Sequence, residues 1–418
     1  MRRSVGLKVI ALILVTAAAG VHVVEMDKKN YIADVSATQE EEKTTESSVL
    51  QEVESAEAKP TITEDGVLGE VFEPEEEPAD DPVEIVMIGD VLMHDRVIDS
   101  GLQENGSYDY SALFAHVKDK VLGADLAMVD QETILGGTEL GVSGYPVFNA
   151  PQEVGIAEAE AGFDVVLHAN NHALDKGLEG IANTINFWES KYPWVGYVGI
   201  NKNAEHQNAL LYIEKNGIKF AVLNYTYGTN RNEDIEGSHY FVNFMDKELV
   251  ERQLDEAEQN ADFTIVCPHW GSEYNLSIDA EQEKWTGIFF KHGADLVIGA
   301  HPHVIEPVKM VSDGEKKMLV YYSLGNFVSA TSESGDTITN RMVGGMADVT
   351  VGRDEAGNAV IQNYDVLPLV CHLGEKEVTA YFLSDYTEEL AASNKILSQD
   401  PGFSLEKCQN LVKKIWEK

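Results

Sequence analysis

The sequence is short of cysteine and of basic residues, and each shortage excludes something. Cysteine occurs three times, at Cys267, Cys371 and Cys408. An odd, widely spaced set is no disulfide framework, and none stands in a Cys-x-x-Cys pair, which argues against a thiolate zinc site. These residues read as buried small hydrophobes, with one disulfide at most in an oxidising compartment. Lysine and arginine total 31 against 71 aspartates and glutamates, a formal charge of -40. A surface of that sign repels nucleic acid and anionic lipid headgroups, and no local basic patch offsets it, so no nucleic-acid partner is expected. No unit recurs at a fixed period, which excludes a solenoid.

Long apolar runs are also missing, with one exception at residues 9–24, which follow Arg2, Arg3 and Lys8. The run is slightly long for a signal-peptide core and slightly short for a spanning helix. Its basic side is expected to stay in the cytoplasm. Residues 1–25 therefore read as an N-terminal membrane anchor, or as a signal segment if cut in the small-residue stretch 16–19. No cysteine follows, so there is no lipoprotein signature. Either way the domain lies outside the cytoplasm, held at the cell membrane or secreted. Residues 26–81 carry 18 acidic against 4 basic side chains. Such a segment buries too little apolar surface to offset its ordering entropy, so 26–82 reads as an acidic disordered linker.

From residue 83 the texture changes. VEIVMIGD, GADLAMVDQE, GFDVVLHANNH, KFAVLNYTY, DFTIVCPHWGSEYN, ADLVIGAHPH and MLVYYSLGNFV are short β-branched runs, each followed by a polar cluster. Continuous apolar runs of this length suggest strands buried on both faces. PQEVGIAEAEAG, EGIANTINFWESK, KELVERQLDEAEQNA and AEQEKWTGIFFKHG lie between them as amphipathic helices. Strand, polar loop and helix in alternation is α/β organisation. Residues 83–330 form the domain, and 331–418 complete it with a hairpin through residues 354–358 and two terminal helices.

In α/β sheets ligands bind at the carboxyl ends of strands. Here those ends carry Asp90, then Asp130 and Glu132, then His168, Asn170, Asn171 and His172, then His269 with Glu273, and finally His301 with His303. One Gly-Asp after a strand is usually a turn, and one loop histidine is usually structural. Five strand ends carrying such residues together are not a chance pattern. Carboxylate, amide and imidazole without sulfur suit divalent ions such as Mn, Fe or Zn, and the set is large enough for one or two ions. His94 and His116 read as surface or helix residues, and His168 as core or support. Asp175 either orients His172 or caps the helix starting near Gly177, a cap being the commoner role. Trp270 and Tyr274 read as site wall or core, and Arg96 and Arg341 as guanidiniums able to hold an anion.

The order GD (89–90), DQE (130–132), ANNHALDKG (169–177), HWGSEY (269–274), GAHPHV (299–304) and SLGNF (323–327) resembles the CapA capsule-synthesis family. These are bacterial proteins associated with poly-γ-glutamate production, with a domain related to calcineurin-like metallophosphoesterases. The resemblance covers residues 83–330. It implies a four-layer sandwich of two mixed β-sheets flanked by helices. It also implies metal ligation by Asp90, Glu132, Asn171, His269, His301 and His303, with His172 catalytic. Asp130, Asn170, Asp175 and Glu273 stand as supporting residues. The phosphoesterase pattern Asp-x-His is broken, since position 92 is Leu, and Asp130 is an alternative to Glu132.

Three functions follow as expectations. The first is synthesis, export or anchoring of poly-γ-glutamate or a similar capsule polymer, with synthase membrane subunits as partners. The second is a general extracytoplasmic metallophosphoesterase acting on a phosphorylated envelope component. The third is a non-catalytic scaffold. So acidic a chain repels an acidic polymer, so contact would be local, at the centre or along Lys309, Lys316 and Lys317.

Overall fold

The computed structural model describes residues 81–231 and 240–417, and the backbone of 11–14 and 24–26. The acidic-linker reading lies outside the described residues, and so does most of the anchor reading. Among the described residues no helix is long and apolar enough to cross a membrane.

In chain order the strands are β1 (Ala11–Leu14), β2 (Val24–Met26), β3 (Val83–Val91), β4 (Leu126–Asp130), β5 (Val165–Leu167), β6 (Gly196–Val198), β7 (Leu211–Lys215) and β8 (Ile218–Thr226). They continue as β9 (Phe263–His269), β10 (Leu296–Ile298), β11 (Val308–Ser312), β12 (Lys317–Tyr321), β13 (Asn326–Val328), β14 (Val343–Arg353), β15 (Ala359–Leu373) and β16 (Val378–Phe382). One sheet runs β16-β15-β14-β3-β4-β5-β6, with β13 also on β3; the other runs β11-β12-β10-β9-β8-β7-β1-β2. Both are mixed: β3 to β6 are parallel, as are β8, β9, β10 and β12, while hairpins such as β7–β8 and β14–β15 are antiparallel.

Alternation along the strands divides the core into layers. Val83, Ile85 and Met87 of β3 face Phe220 and Val222 of β8 and Phe263, Ile265 and Cys267 of β9, forming the layer between the sheets. The alternate residues Val86 and Ile88 turn outward onto helices, among them Val97, Phe114, Val154 and Trp188 and the C-terminal Cys408, Leu411 and Val412. On the other side Ala221, Leu223 and Val266 pack under Val250 and Leu254 of helix Lys247–Asn260 and Phe289 of helix Ala280–Lys291. The result is helix, sheet, sheet, helix, the four-layer α/β sandwich expected. All three cysteines are free and buried.

In the run 318–328 the expected short strand is β12, and the polar cluster after it leads into a second strand, β13. The run splits into β12 in one sheet and β13 in the other. Gly325 sits at the crossover with φ +64, a conformation that costs glycine nothing.

Phe220 is fully buried between the sheets, edge-on to Phe263 at 5.7 Å. Phe220→Ala is expected to cost about 3–5 kcal/mol, read as a lowered urea midpoint at unchanged slope. A loss below about 1 kcal/mol would show that the inter-sheet layer is not close-packed here.

Candidate metal centre

Strand register brings the polar residues together. β3 and β4 are parallel and aligned so that Asp90 lies beside Asp130, while β13 sets Asn326 against Asp90 from the other side. β9 ends on His269, and a bridge from His269 to Ala300 lays the turn carrying His301 and His303 alongside it. One sheet thus supplies the carboxylates and the other the imidazoles. The approach is tight: a Cβ at Gly89 would stand 2.0 Å from the carbonyl oxygen of Gly325. Four non-glycine residues have left-handed backbone among the described residues: Asn216, Tyr274, His301 and His303. Asn216 is in a hairpin turn, and the other three are at this site. Such strain costs on the order of 1–3 kcal/mol per residue and persists only where the surroundings enforce it.

The contacts form one connected group. His303 Nδ1 lies 3.1 Å from Asp90 Oδ2, 3.1 Å from Asn326 Oδ1 and 3.6 Å from Glu132 Oε2. Asp90 Oδ1 accepts the backbone N–H of His301 at 3.1 Å. His269 places Nδ1 3.3 Å from Asp130 Oδ2, and Nε2 2.7 Å from Asn171 Oδ1 and 3.6 Å from Glu132 Oε1. The His301 and His269 rings are 4.8 Å apart.

The electrostatics follow from burying three carboxylates together. Burial pushes Asp130 up to about 7, although His269 draws it down. Burial also opposes ionisation of Glu132, but His303 and His269 hold it below the usual carboxylate range. Burial alone would lower His269 and His303. Asp130 and Glu132 instead raise His269 to about 10, and Glu132 and Asp90 raise His303 to about 9. His301 faces two imidazoles, and burial with their charge holds it well below the ordinary histidine value.

The residues fit a divalent ion. Asp130 Oδ1, both carboxylate oxygens of Glu132 and His301 Nδ1 are buried without a hydrogen-bond partner, a costly arrangement unless a cation takes those lone pairs. Glu132 with His269 and His301, Asp90 with Glu132 and His303, and Asp90 with Asp130 and His269 each offer donor atoms within 4.8 Å of one another. The overlap of these sets describes adjacent positions sharing Asp90, Glu132 and His269. Asp130 and Glu132 both belong to the cluster, rather than one replacing the other.

The Asn170–Asp175 turn forms one wall. Asn170 donates to the Gln131 carbonyl at 3.0 Å and accepts from the His172 N–H at 3.0 Å, bracing the turn. His172 Nδ1 lies 2.8 Å from Asp175 Oδ2, which also accepts the Phe148 N–H at 2.7 Å. The cap reading of Asp175 is therefore corrected. Lys176 heads helix Gly177–Lys191 without a side-chain cap, and Asp175 orients the imidazole.

The remaining candidates divide. His94 heads helix Asp95–Gly101, and beyond that its half-buried ring meets Phe148 edge-on at 5.2 Å, with burial and the His303 charge lowering it to about 4. Its position four residues after Asp90 was the available signal. His116 is exposed. His168 is core, accepting the Trp188 indole N–H at 2.9 Å. Glu273 is exposed and outside the ligand sets; its side chain hydrogen-bonds Tyr274 and its charge acts on His303. Trp270 is core, stacked on Tyr322. Tyr274 is wall, its ring 5.9 Å from that of His303. Arg96 reaches the Gly374 carbonyl and does not face the site, whereas Arg341 lies over the Tyr274 ring at 3.5 Å. The Lys309–Lys317 strip lies on the β11–β12 hairpin at a sheet edge. Asn326, Tyr227 and Asn230 join the site without having been singled out. Tyr227 lies 4.6 Å from His301 ring to ring, and the Asn230 amide stands 3.4 Å from His172 Nε2.

Residues 84–331 match the family described as bacterial capsule synthesis protein PGA_cap. Capsule biosynthesis protein CapA of Bacillus anthracis is 32% identical over 188 residues, 43% of this chain and 43% of that protein. PGA biosynthesis protein CapA of Bacillus subtilis (strain 168) is 29% identical over 169 residues, 40% of this chain and 43% of that protein. The matched stretch thus spans less than half of either relative. Among solved structures, Haemophilus influenzae NAD nucleotidase superposes with TM-score 0.42 at 13% identity, over 69% of this chain and 58% of that one.

Metal binding should release protons, because His269 and His303 must give theirs up to ligate. At pH 7 net proton release is expected on saturation with Mn or Zn, from both histidines and from the partly protonated Asp130, read by calorimetry in buffers of different ionisation enthalpy. The sign of the linked stability follows. Both histidines are raised above their ordinary value, so in the metal-free protein their contribution is complete below about pH 6.5. It is lost as pH rises through about 9 and about 10. Heat released independently of buffer would contradict this protonation pattern.

Proposed function

This chain belongs to the PGA_cap family of bacterial capsule synthesis proteins, and on that premise we propose that it acts at the cell surface in making, exporting or anchoring poly-γ-glutamate or a similar capsule polymer, using a divalent-metal hydrolytic centre. The observation that carries the proposal is the pairing of an unsatisfied buried ligand cluster with an oriented His172–Asp175 dyad. A scaffold needs neither feature.

Asp90, Asp130, Glu132, Asn171, His269, His301 and His303 would hold one or two ions, drawn from Mn, Fe and Zn. When bound, the metal supplies Lewis acidity and lowers the pKa of water at the centre. The chain's own residues do the rest. Asp175 accepts the His172 Nδ1–H and would steady the ring as an imidazolium, whose Nε2–H hands its proton to the departing oxygen and leaves the neutral Nδ1–H tautomer. Water oxygen bonds to the phosphoryl or acyl centre, the ester bond breaks, and the leaving group departs protonated. Phe148 packs against the His172 ring at 4.5 Å and limits its rotation. Asn171 and His172 hold adjacent positions in one turn, so ligand and proton donor keep a fixed separation.

We place the domain outside the cytoplasm, at the membrane through its N-terminal segment or released if that segment is cut. Membrane subunits of a polymer synthase are the proposed partners, and an anionic polymer or phosphorylated envelope component the substrate. A general extracytoplasmic phosphoesterase would share the centre and lack those partners.

His172→Ala is expected to keep its metal by elemental analysis and to lose about 10²–10⁴-fold in turnover of an aryl phosphate or acyl ester. Asp90→Ala and His303→Ala should lose the metal. A chain that binds no metal, or a His172→Ala variant as active as the parent, would sink the hydrolytic reading and leave the scaffold, to be pursued by co-purification with membrane subunits.

A further inference from the structure

Arg341 is unlike the other guanidiniums of this acidic chain. Its side chain is only 11% exposed, and it lies over Tyr274 with the guanidinium carbon 3.5 Å from the ring centre. Two routes tie it to the centre. Tyr274 donates its backbone N–H to the Pro302 carbonyl at 2.7 Å, inside the His301–His303 turn. Asn326 donates to the Arg341 carbonyl at 3.0 Å while its Oδ1 meets His303 Nδ1. The charge partner of Arg341 has the opposite character. Glu333 lies 2.6 Å away with its side chain 61% exposed, and Thr331 Oγ1 is the other neighbour, at 3.4 Å. A fixed, partly desolvated guanidinium thus meets a carboxylate held on the solvent side.

We propose that Arg341 on Tyr274 is a carboxylate-binding subsite at the rim of the centre, occupied by Glu333 when no ligand is present. The ligand class is a flexible chain bearing side-chain carboxylates, of which Glu333 is the internal mimic. A guanidinium fork binds carboxylate in two parallel hydrogen bonds, and stacking fixes its plane. Glu333 gives little binding energy of its own because exposed pairs are weak, so an incoming carboxylate displaces it. The subsite explains how so acidic a protein takes an acidic ligand: contact is confined to one shielded cation. The inference rests on reading the centre as the reacting site.

The test is calorimetric binding of glutarate and of inorganic phosphate to the full metal-loaded chain, without turnover. Glu333→Gln removes the internal competitor and is expected to tighten glutarate binding about threefold. Arg341→Ala should weaken it at least about tenfold, and Arg341→Lys nearly as much, because lysine has no fork. Arg252→Ala, a surface control of the same charge, should match the parent. Metal content read on each variant separates a damaged centre from a lost subsite. Equal glutarate affinity in parent, Glu333→Gln and Arg341→Ala overturns the proposal, as does binding of phosphate alone, or no binding in either parent or Glu333→Gln. Glutarate binding with the expected pattern but no ester turnover retains the subsite and overturns only the hydrolytic reading.

Discussion

Three carboxylates buried within one contact group set the terms for everything around them. At 4 Å two unit charges repel by about 4 kcal/mol even at an effective dielectric of 20, and burial removes the water that would screen them. Asp90, Asp130 and Glu132 therefore persist together only beside positive charge. His269 and His303 supply it in the metal-free fold, which is why both imidazoles stand far above their ordinary value against the pull of burial. Burial nevertheless raises Asp130 to about 7, with His269 beside it drawing it down and the charges of Asp90 and Glu132 adding to the rise. A divalent ion satisfies the same demand and frees the imidazoles to become neutral donors. The orphaned oxygens of Glu132 and the bare Nδ1 of His301 are the atoms on which it would act.

That constraint explains the expenditure elsewhere in the fold. Parallel strands of two sheets must end at one level, so the inter-sheet layer is tightly filled. The inner face of β3 presents Val83, Ile85 and Met87 to it, with no polar side chain before Gly89. Two backbones must pass within a distance that admits no side chain, so Gly89 faces Gly325. His301 and His303 must both turn inward from one short turn, so both take left-handed backbone. Each feature is unfavourable alone and is maintained because the surrounding layers leave no alternative.

Much of this was legible in the chain. The apolar runs 85–88, 126–129 and 265–267 carry no polar side chain, so burial on both faces followed directly, and the ligand residues stand just beyond them. What could not be read were relations between distant segments. His94 looks like an ordinary helix-leading residue until Phe148, from a distant loop, closes over it. Asp175 has the position of a cap, and only the fold shows that Phe148 and His172 meet it instead. In 318–328 the polar break at Ser323–Asn326 is plain in the chain, but the crossing between sheets at Gly325 is fixed by tertiary pairing rather than by local preference. Trp270 and Tyr274 are close in sequence and equally aromatic, yet one is core and the other wall, because the turn at Gly271 takes the chain out of the sheet.

The net charge acquires meaning at the same level. A charge of -40 spread over the surface opposes any acidic ligand at long range, with the opposition fading beyond about 8 Å at physiological ionic strength. Short-range attraction then has to come from groups that solvent does not reach. The metal position lies among side chains that are nearly all fully buried, and Arg341 is shielded by Tyr274 beneath it. Charges placed this way act at contact and are little weakened by salt, whereas the acidic exterior is screened. Affinity for an acidic chain should therefore rise with ionic strength over the range in which surface repulsion is being screened, the reverse of what a basic polymer-binding surface would give. An acidic protein with an inward-facing cation site selects ligands by whether they can present one anionic group to a recess, and gains nothing from the length of the chain behind it.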